Sequence, residues 1–175
     1  MRRSAAAVGS SVFMALAPGT VAGVVPWWLT GWHAGHWPLP VRVLGGVVLV
    51  AGAAVLVSAF MRFVTEGLGT PAPVAPTEHL VVGGLYRRVR NPMYLAVLAT
   101  IGGQALLLGR PVLLGYGLVA GLSMWAFARQ HEEPTLAARY GDEYARYRRA
   151  VPGWWPRLRP WTGPSERHPS EGDRS

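Results

Sequence analysis

The stretch "GLYRRVRNPMYLAVL", Gly84 to Leu98, joins three arginines, an asparagine and a proline directly to a run of apolar residues. Arginines collect where a membrane helix meets the cytoplasm, because their charge stays in water while the helix enters hydrocarbon. Pro92 suits the first position of such a helix, where its missing N–H leaves no hydrogen bond unmade. The stretch therefore predicts a membrane helix that begins at Pro92, with a polar cluster directly before it.

The composition of the whole chain also favours a membrane protein. Half of the 175 residues are hydrophobic and only 15% are charged, whereas soluble domains average about 25% charged residues. The net charge of +8 would suit nucleic acid, but the arginines lie beside apolar runs without an aromatic-basic reading motif. We therefore expect no nucleic acid partner. The absence of cysteine excludes disulfides, thiolate zinc sites and cysteine nucleophiles.

Four apolar segments approach the roughly 20 residues that a bilayer crossing requires. We predict an all-α, polytopic membrane protein whose transmembrane helices lie at about 5–29, 41–60, 92–108 and 111–128. In the second helix, Gly45, Gly46 and Gly52 would let a neighbouring helix approach closely. In the third, Gln104 would donate a hydrogen bond to another helix or line a path between the helices.

The chain after the fourth helix has an amphipathic pattern at about 134–150. Its apolar stripe falls at helical spacing and consists of Leu136, Tyr140, Tyr144, Tyr147 and Val151. Such a helix would lie on the membrane surface or fold over the cytoplasmic mouth of the bundle. We assign residues 1–161 to one membrane domain. The proline, serine, glycine and charge of residues 162–175 predict a disordered tail.

The arginine distribution predicts the orientation of the helices. With the N-terminus inside, the cytoplasmic segments hold all arginines except Arg42 and Arg110, as the positive-inside rule requires. Both termini are then cytoplasmic. The loop "TEGLGTPAPVAPTEHLVVGGLY" between the second and third helices is also cytoplasmic. Its glycine and proline content argues against a long helix and favours an ordered loop.

Two polar clusters flank the predicted hairpin of the third and fourth helices on this cytoplasmic side. One cluster consists of Tyr86, Arg87, Arg90, Asn91 and Tyr94, and the other of His131, Glu132 and Glu133. Because the two helices form a hairpin, the clusters should meet although about forty residues separate them in sequence. They form either a salt-bridged anchoring layer or a binding site. Pro134 should break or kink the chain just after the carboxylates.

The remaining histidines give no metal site. His33 and His36 lie in a predicted outer loop without a nearby carboxylate, and a metal site would need more ligands. The sequence "HEEPT" lacks the second histidine of a zincin motif because Thr135 occupies that position. We therefore expect no metal.

Residues 60–156 closely resemble the isoprenylcysteine carboxyl methyltransferase and phospholipid methyltransferase family of integral membrane enzymes. The resemblance rests on "GTPAP" (Gly69–Pro73), "LVVGGLYRRVRNPMY" (Leu80–Tyr94) and "EEPTLAARYGDEYARYRRAVPGWWP" (Glu132–Pro156). The family's patterns are roughly G-x-Y-R-x-x-R-[HN]-P-x-Y, then E-E-x-x-L and [FY]-G-x-x-Y-x-x-Y. The first two helices resemble the family in character alone.

This resemblance implies S-adenosylmethionine binding at the cytoplasmic end of the last two helices, with the C-terminal helix covering the site. It nominates a cofactor pocket formed by Arg90, Asn91, Pro92, Tyr94, Glu132 and Glu133, with Tyr86 and Arg87 as further candidates. No catalytic residue is assigned, and the candidates are Arg90, Tyr94 and Glu132. Asn91 stands where many carboxyl methyltransferases of the family carry histidine. Because asparagine does not titrate near neutral pH, we assign no general base there.

The expected function is methyl transfer from S-adenosylmethionine to a lipid-like or hydrophobic acceptor at the cytoplasmic membrane face. An isoprenylated cysteine carboxylate is the family's best-known acceptor, and a phospholipid amine is the main alternative. A hypothesis of another class is a non-catalytic membrane scaffold or transport protein. The near absence of charge within the apolar segments leaves little from which to build an ion path.

Overall fold

The computed structural model describes residues 16–67, 80 and 82–162. All regular structure in these ranges is helical, as predicted. The α-helices are α1 (Val25–Thr30), α2 (Leu39–Gly67), α3 (Pro92–Leu108), α4 (Pro111–Phe127) and α5 (Glu133–Ala150). Two π-helical turns, Thr20–Val24 and Ala128–Glu132, lead directly into α1 and α5. A 3₁₀ turn, Gly84–Arg87, precedes α3.

Two of the described helical runs are long and apolar enough to cross a bilayer. They are Leu39–Ala59 within α2 and the continuous run Pro111–Ala150, whose apolar part is α4. The polar helix α5 lies beyond that membrane-crossing part. The helix α3 is apolar but shorter. These features support an integral membrane protein.

The predicted first span, 5–29, lies only partly within the described residues. From residue 16 the chain is helical as far as Thr30, and neither Pro18 nor Pro26 ends the helix. The π-helical turn that follows Pro18 is tied to two other helices. The carbonyl of Ala22 accepts a hydrogen bond of 2.6 Å from Gln104, and that of Val21 accepts one of 2.8 Å from Tyr116. Gln104 therefore makes the predicted bond between helices.

The closest helix pair is α2 and α3, and glycine makes this contact possible. A Cβ atom on Gly45 would lie 2.3 Å from the backbone nitrogen of Leu107, and one on Gly52 would lie 3.0 Å from that of Thr100. Gly46 faces no such backbone, so only two of the three predicted glycines are needed there. The partner glycine on α3, Gly103, was not predicted. Its Cβ would lie 2.5 Å from the backbone nitrogen of Leu49.

Two predictions about where helices end were wrong. The helix α2 continues to Gly67, seven residues beyond the predicted end and into the segment expected to be a loop. The rest of that segment, residues 68–79 and 81, lies outside the described residues, and so does the "GTPAP" motif. Pro134 does not break the helix, because the π-helical turn before it leads directly into α5, and the kink predicted as the other outcome stays a prediction.

The helix α5 packs on the segment that precedes α3. Its tyrosine stripe is used for packing, since Tyr144, Tyr147 and Val151 are buried together. Burial raises the pKa of Tyr147, whose hydroxyl donates a hydrogen bond of 2.7 Å to the carbonyl of Tyr86. The helix is kinked at Gly141, where φ is +51° and ψ is −122°. Glycine alone adopts this conformation readily.

Candidate functional site

The segment after α5 returns to the start of α3 and pairs with it through backbone hydrogen bonds. We call this segment, residues 151–162, the strap. Arg90 N–H donates to the carbonyl of Pro152 at 2.9 Å, and Asn91 N–H donates to that of Gly153 at 3.2 Å. Further along, the strap residue Arg157 donates its N–H to the carbonyl of Arg88 at 3.0 Å. These bonds join the strap to residues 88–91, which directly precede α3.

Arg90 makes the side-chain contacts that join this segment to the strap and to α5. Its Nε donates to the carbonyl of Val151 at 3.0 Å, and its Nη1 donates to Glu133 Oε1 at 2.8 Å and to the hydroxyl of Tyr144 at 3.0 Å. The side chains of Arg90 and Glu133 are only 14% and 16% exposed. Arg148 pairs with the other oxygen of Glu133 at 3.1 Å and is half exposed. The two predicted polar clusters thus meet in a largely buried ion pair.

A second contact between the clusters joins Tyr94 to Glu132. The Tyr94 hydroxyl donates to Glu132 Oε1 at 2.6 Å. Within the described residues, Glu132 forms no ion pair with an arginine or a histidine. Burial raises the pKa of the Glu132 carboxyl above its usual value, and the hydrogen bond from Tyr94 offsets part of that shift.

This raised pKa predicts that Glu132→Gln changes how stability depends on pH. Below the pKa of Glu132 in the unfolded chain, both states hold the proton and the protonated side chain contributes fully to stability. As the pH rises through the higher pKa of the folded state, that contribution is lost. The melting temperature of the wild type in detergent should therefore fall relative to that of Glu132→Gln as pH rises from acidic towards neutral. Parallel curves would contradict this, and Glu143→Gln, on the exposed face of α5, is the matched control.

Two cavities lie beside the residues described above. The polar pocket, of about 180 Å³, is lined by Arg90, Trp125, Arg129, Glu133, Arg148, Gly153, Trp154 and Trp155. The apolar groove, of about 460 Å³, is lined by Val21, Tyr94, Tyr116, Val119, Ala120, Ser123, Met124 and Phe127. The rings of Tyr94 and Trp154 are stacked, with centroids 6.0 Å apart and planes within 9° of parallel. Each ring lines one cavity, so this pair lies at the boundary between the polar pocket and the apolar groove.

The remaining predicted site residues support this arrangement and line neither cavity. Pro92 begins α3 and is buried, and the backbone of Asn91 bonds to the strap. Arg87 donates its Nε to the carbonyl of Trp161, and the carbonyl of Tyr86 accepts the hydroxyl of Tyr147. The structure therefore places Arg90 and Glu133 at the polar pocket, Tyr94 at the groove and Glu132 against Tyr94.

Six residues that line the polar pocket were not predicted as site residues. They are Trp125, Arg129, Arg148, Gly153, Trp154 and Trp155. Trp125 and Arg129 are one helical turn apart, and the guanidinium of Arg129 lies 5.8 Å from the Trp125 ring. That spacing, and the paired tryptophans in "VPGWWP", are signals in the sequence. Their convergence on one cavity depends on the fold of the strap.

A family model described as phospholipid methyltransferase matches residues 41–143. The chain belongs to this family. The match runs from α2 into α5 and includes Arg90, Tyr94, Glu132 and Glu133, and it confirms the resemblance inferred from the motifs. The strap and Arg148 lie beyond it. The matched region therefore contains both of the polar clusters that meet beside α3.

One curated relative matches a shorter part of the chain. It is protein-S-isoprenylcysteine O-methyltransferase of Schizosaccharomyces pombe (strain 972 / ATCC 24843), which is 36% identical over 83 residues. The match covers 45% of this chain and 34% of the relative. The chain therefore spans only about a third of the length of that relative. Both comparisons point to methyl transfer and neither describes the site.

Proposed function

We propose that the protein transfers a methyl group from S-adenosylmethionine to an acceptor with a long apolar chain. The observation that carries this proposal is the boundary between the two cavities. A charged pocket and an apolar groove lie on either side of the stacked Tyr94 and Trp154 rings. A reaction between a polar, charged donor and a hydrophobic acceptor needs such a junction, because each partner is desolvated in a different way.

The side chains at the junction fit the chemistry of this cofactor. Its carboxylate suits arginine, which the polar pocket supplies from three positions. Its ammonium suits a carboxylate such as Glu133, and its sulfonium suits an aromatic face such as that of Trp154. When bound, the cofactor supplies an electrophilic methyl group. A lone pair of the acceptor forms the new bond to this carbon while the electrons of the carbon–sulfur bond remain on sulfur.

The apolar groove fits the acceptor. Its volume of about 460 Å³ lies in the range of about 300–1,000 Å³ typical of ligand pockets. Val119 and Phe127 line the groove and are also exposed on the surface of α4, so a lipid chain can reach it from the bilayer. The arginine distribution supports a site at the cytoplasmic face. Catalysis then comes mainly from holding the acceptor's head group near Tyr94.

The first candidate acceptor is the carboxylate of an isoprenylated cysteine, the chemistry named for the fission yeast relative. A carboxylate is already a nucleophile near neutral pH. It needs no base, which agrees with the asparagine at position 91.

The second candidate acceptor is a lipid amine, and Glu132 favours it. This carboxyl group is hydrogen-bonded to Tyr94 at the groove and forms no ion pair among the described residues. It would attract an ammonium group and repel a carboxylate. Its raised pKa would also help it to accept the proton that an ammonium must lose before methylation.

Cofactor binding is the direct test of the proposed function. Calorimetric titration of the purified protein in detergent with S-adenosylhomocysteine should show saturable binding. Glu133→Ala should weaken that binding at least tenfold, because Glu133 lines the polar pocket. A free-energy loss of about 1.4 kcal/mol corresponds to tenfold, and loss of a charged hydrogen-bond partner costs about that much or more. Glu143→Ala, on the exposed face of α5, is the matched control and should bind as the wild type does. If the folded protein binds no S-adenosylhomocysteine, the proposed methyltransferase function is wrong, and the hypothesis of a non-catalytic scaffold remains.

The acceptor is identified by the products. Radiolabelled S-adenosylmethionine is incubated with the protein and membrane extracts, and lipid products are separated from protein products. Base-labile label in protein supports the carboxylate acceptor, and base-stable label in lipid supports the amine. Label in water-soluble products alone would exclude both.

A further inference from the structure

Arg90 has fewer donors left for a ligand than the other two arginines of the polar pocket, because three of its five N–H groups already bond to the protein. Three of its hydrogen bonds go to the protein itself, namely to Val151, Glu133 and Tyr144, and they use Nε and Nη1. Its Nη2 lies close to the backbone of the strap, since a Cβ atom added to Gly153 would be 3.1 Å away from it. Arg90 therefore uses its Nε and Nη1 donors to join the segment before α3 to α5 and the strap.

The other two arginines of the polar pocket are differently placed. Arg129 is exposed, and its recorded contact is with the Trp125 ring; within the described ranges it has no hydrogen bond or ion pair. Arg148 is half exposed and bonds to Glu133 through Nη2 alone. Both guanidinium groups thus keep donors that can bind an anion. Arg129 lies in the π-helical turn after α4 and Arg148 in the last turns of α5, so the two side chains approach the pocket from different elements.

The charge and size of the pocket define the kind of group that fits. Three arginines and one glutamate line it, so an anionic group is favoured. Its volume of about 180 Å³ is well below the roughly 300 Å³ at which pockets begin to hold a whole drug-sized ligand. It can therefore receive one end of a larger molecule. The neutral adenine would not use this charge, whereas the amino-acid end of the cofactor would.

We propose that the polar pocket binds the amino-acid end of S-adenosylmethionine, with Arg129 and Arg148 binding its carboxylate and Arg90 acting as a positioning residue. This inference rests on the proposed function and deepens it. Glu133, which Arg90 and Arg148 hold in place, is the acceptor for the ligand's ammonium group. Trp154 lines this pocket and stacks on Tyr94, which lines the groove. The charged end of the cofactor therefore lies on the polar-pocket side of this ring pair.

The test compares two ligands that differ only in the carboxylate. S-adenosylhomocysteine and its decarboxylated analogue, S-adenosyl-3-thiopropylamine, are titrated calorimetrically into the full-length protein in detergent. The wild type should bind the first ligand about tenfold or more tightly than the second, as expected for charge-assisted hydrogen bonds to arginine. In Arg129→Gln/Arg148→Gln, both ligands should bind with similar affinity. Each single variant should show an intermediate preference.

Two controls separate this role from general effects of charge or folding. Arg149→Gln removes an exposed arginine of α5 that does not line the pocket, and it should keep the wild-type preference. Arg90→Lys should weaken both ligands by the same factor, because it disturbs the pocket without removing the carboxylate's partners. The inference is overturned if the double variant keeps the wild-type preference, or if Arg90→Lys alone abolishes it. Absence of any binding to folded wild type would instead refute the proposed function.

Discussion

Arg90→Ala should both destabilise the protein and weaken S-adenosylhomocysteine binding at least tenfold. The substitution leaves the largely buried Glu133 with one half-exposed partner, and it leaves the Val151 carbonyl without its side-chain donor. Removing one member of a buried ion pair costs about 3–5 kcal/mol. Because Arg90 and Glu133 retain some exposure, we expect a loss of about 2–4 kcal/mol in the free energy of unfolding.

The binding defect follows from the same geometry. Without Arg90, the strap and α5 lose three side-chain hydrogen bonds to the segment that precedes α3, so Glu133 is held at the pocket by Arg148 alone. Thermal unfolding and calorimetric titration in the same detergent measure the two effects. Arg88→Ala is the matched control, because this neighbouring side chain is exposed and only its backbone carbonyl bonds to the strap. Equal behaviour of the two variants would show that Arg90 merely anchors the helix.

Gly103→Ala should lower the melting temperature strongly, whereas Gly102→Ala should raise it slightly. A Cβ atom at Gly103 would lie 2.5 Å from the backbone nitrogen and 2.7 Å from the Cα of Leu49, and neither atom can move without moving α2. Overpacking of this kind costs about 1–3 kcal/mol, and more where backbone must shift. A Cβ atom at Gly102 would have nothing within 4 Å.

The neighbouring glycine is an unusually close control for this prediction. Both residues lie in the interior of α3, where alanine is intrinsically favoured over glycine by about 0.5–1 kcal/mol. Opposite signs of the two melting-temperature shifts would therefore result from the contact with α2 alone. Thermal unfolding of both variants in one detergent, followed by circular dichroism, measures the difference. Equal shifts in the two variants would show that α2 and α3 do not approach as closely as the structure has them.

Much of the fold could be predicted because it depends on local properties of the chain. Apolar runs, helix-starting prolines and the arginines beside them indicate where α3 and α4 begin, and the tyrosine spacing indicates α5. The predictions failed where an irregular turn or a tertiary contact overrides what the local sequence favours. Pro134 does not break the helix because a π-helical turn precedes it. Gly103 was overlooked because periodicity does not reveal which glycine faces another backbone.

The candidate site shows the same division. The sequence by itself determined that an arginine cluster and a pair of carboxylates would meet at one end of a hairpin, because a hairpin brings its two ends together. Only the tertiary structure decided that Arg90 pairs with Glu133 and Tyr94 with Glu132, and that the strap brings Trp154 and Trp155 to the pocket. Helix periodicity is set within a few residues. A hydrogen-bond partner forty or sixty residues away is set by how the strap and α5 close over α3, which no local pattern encodes.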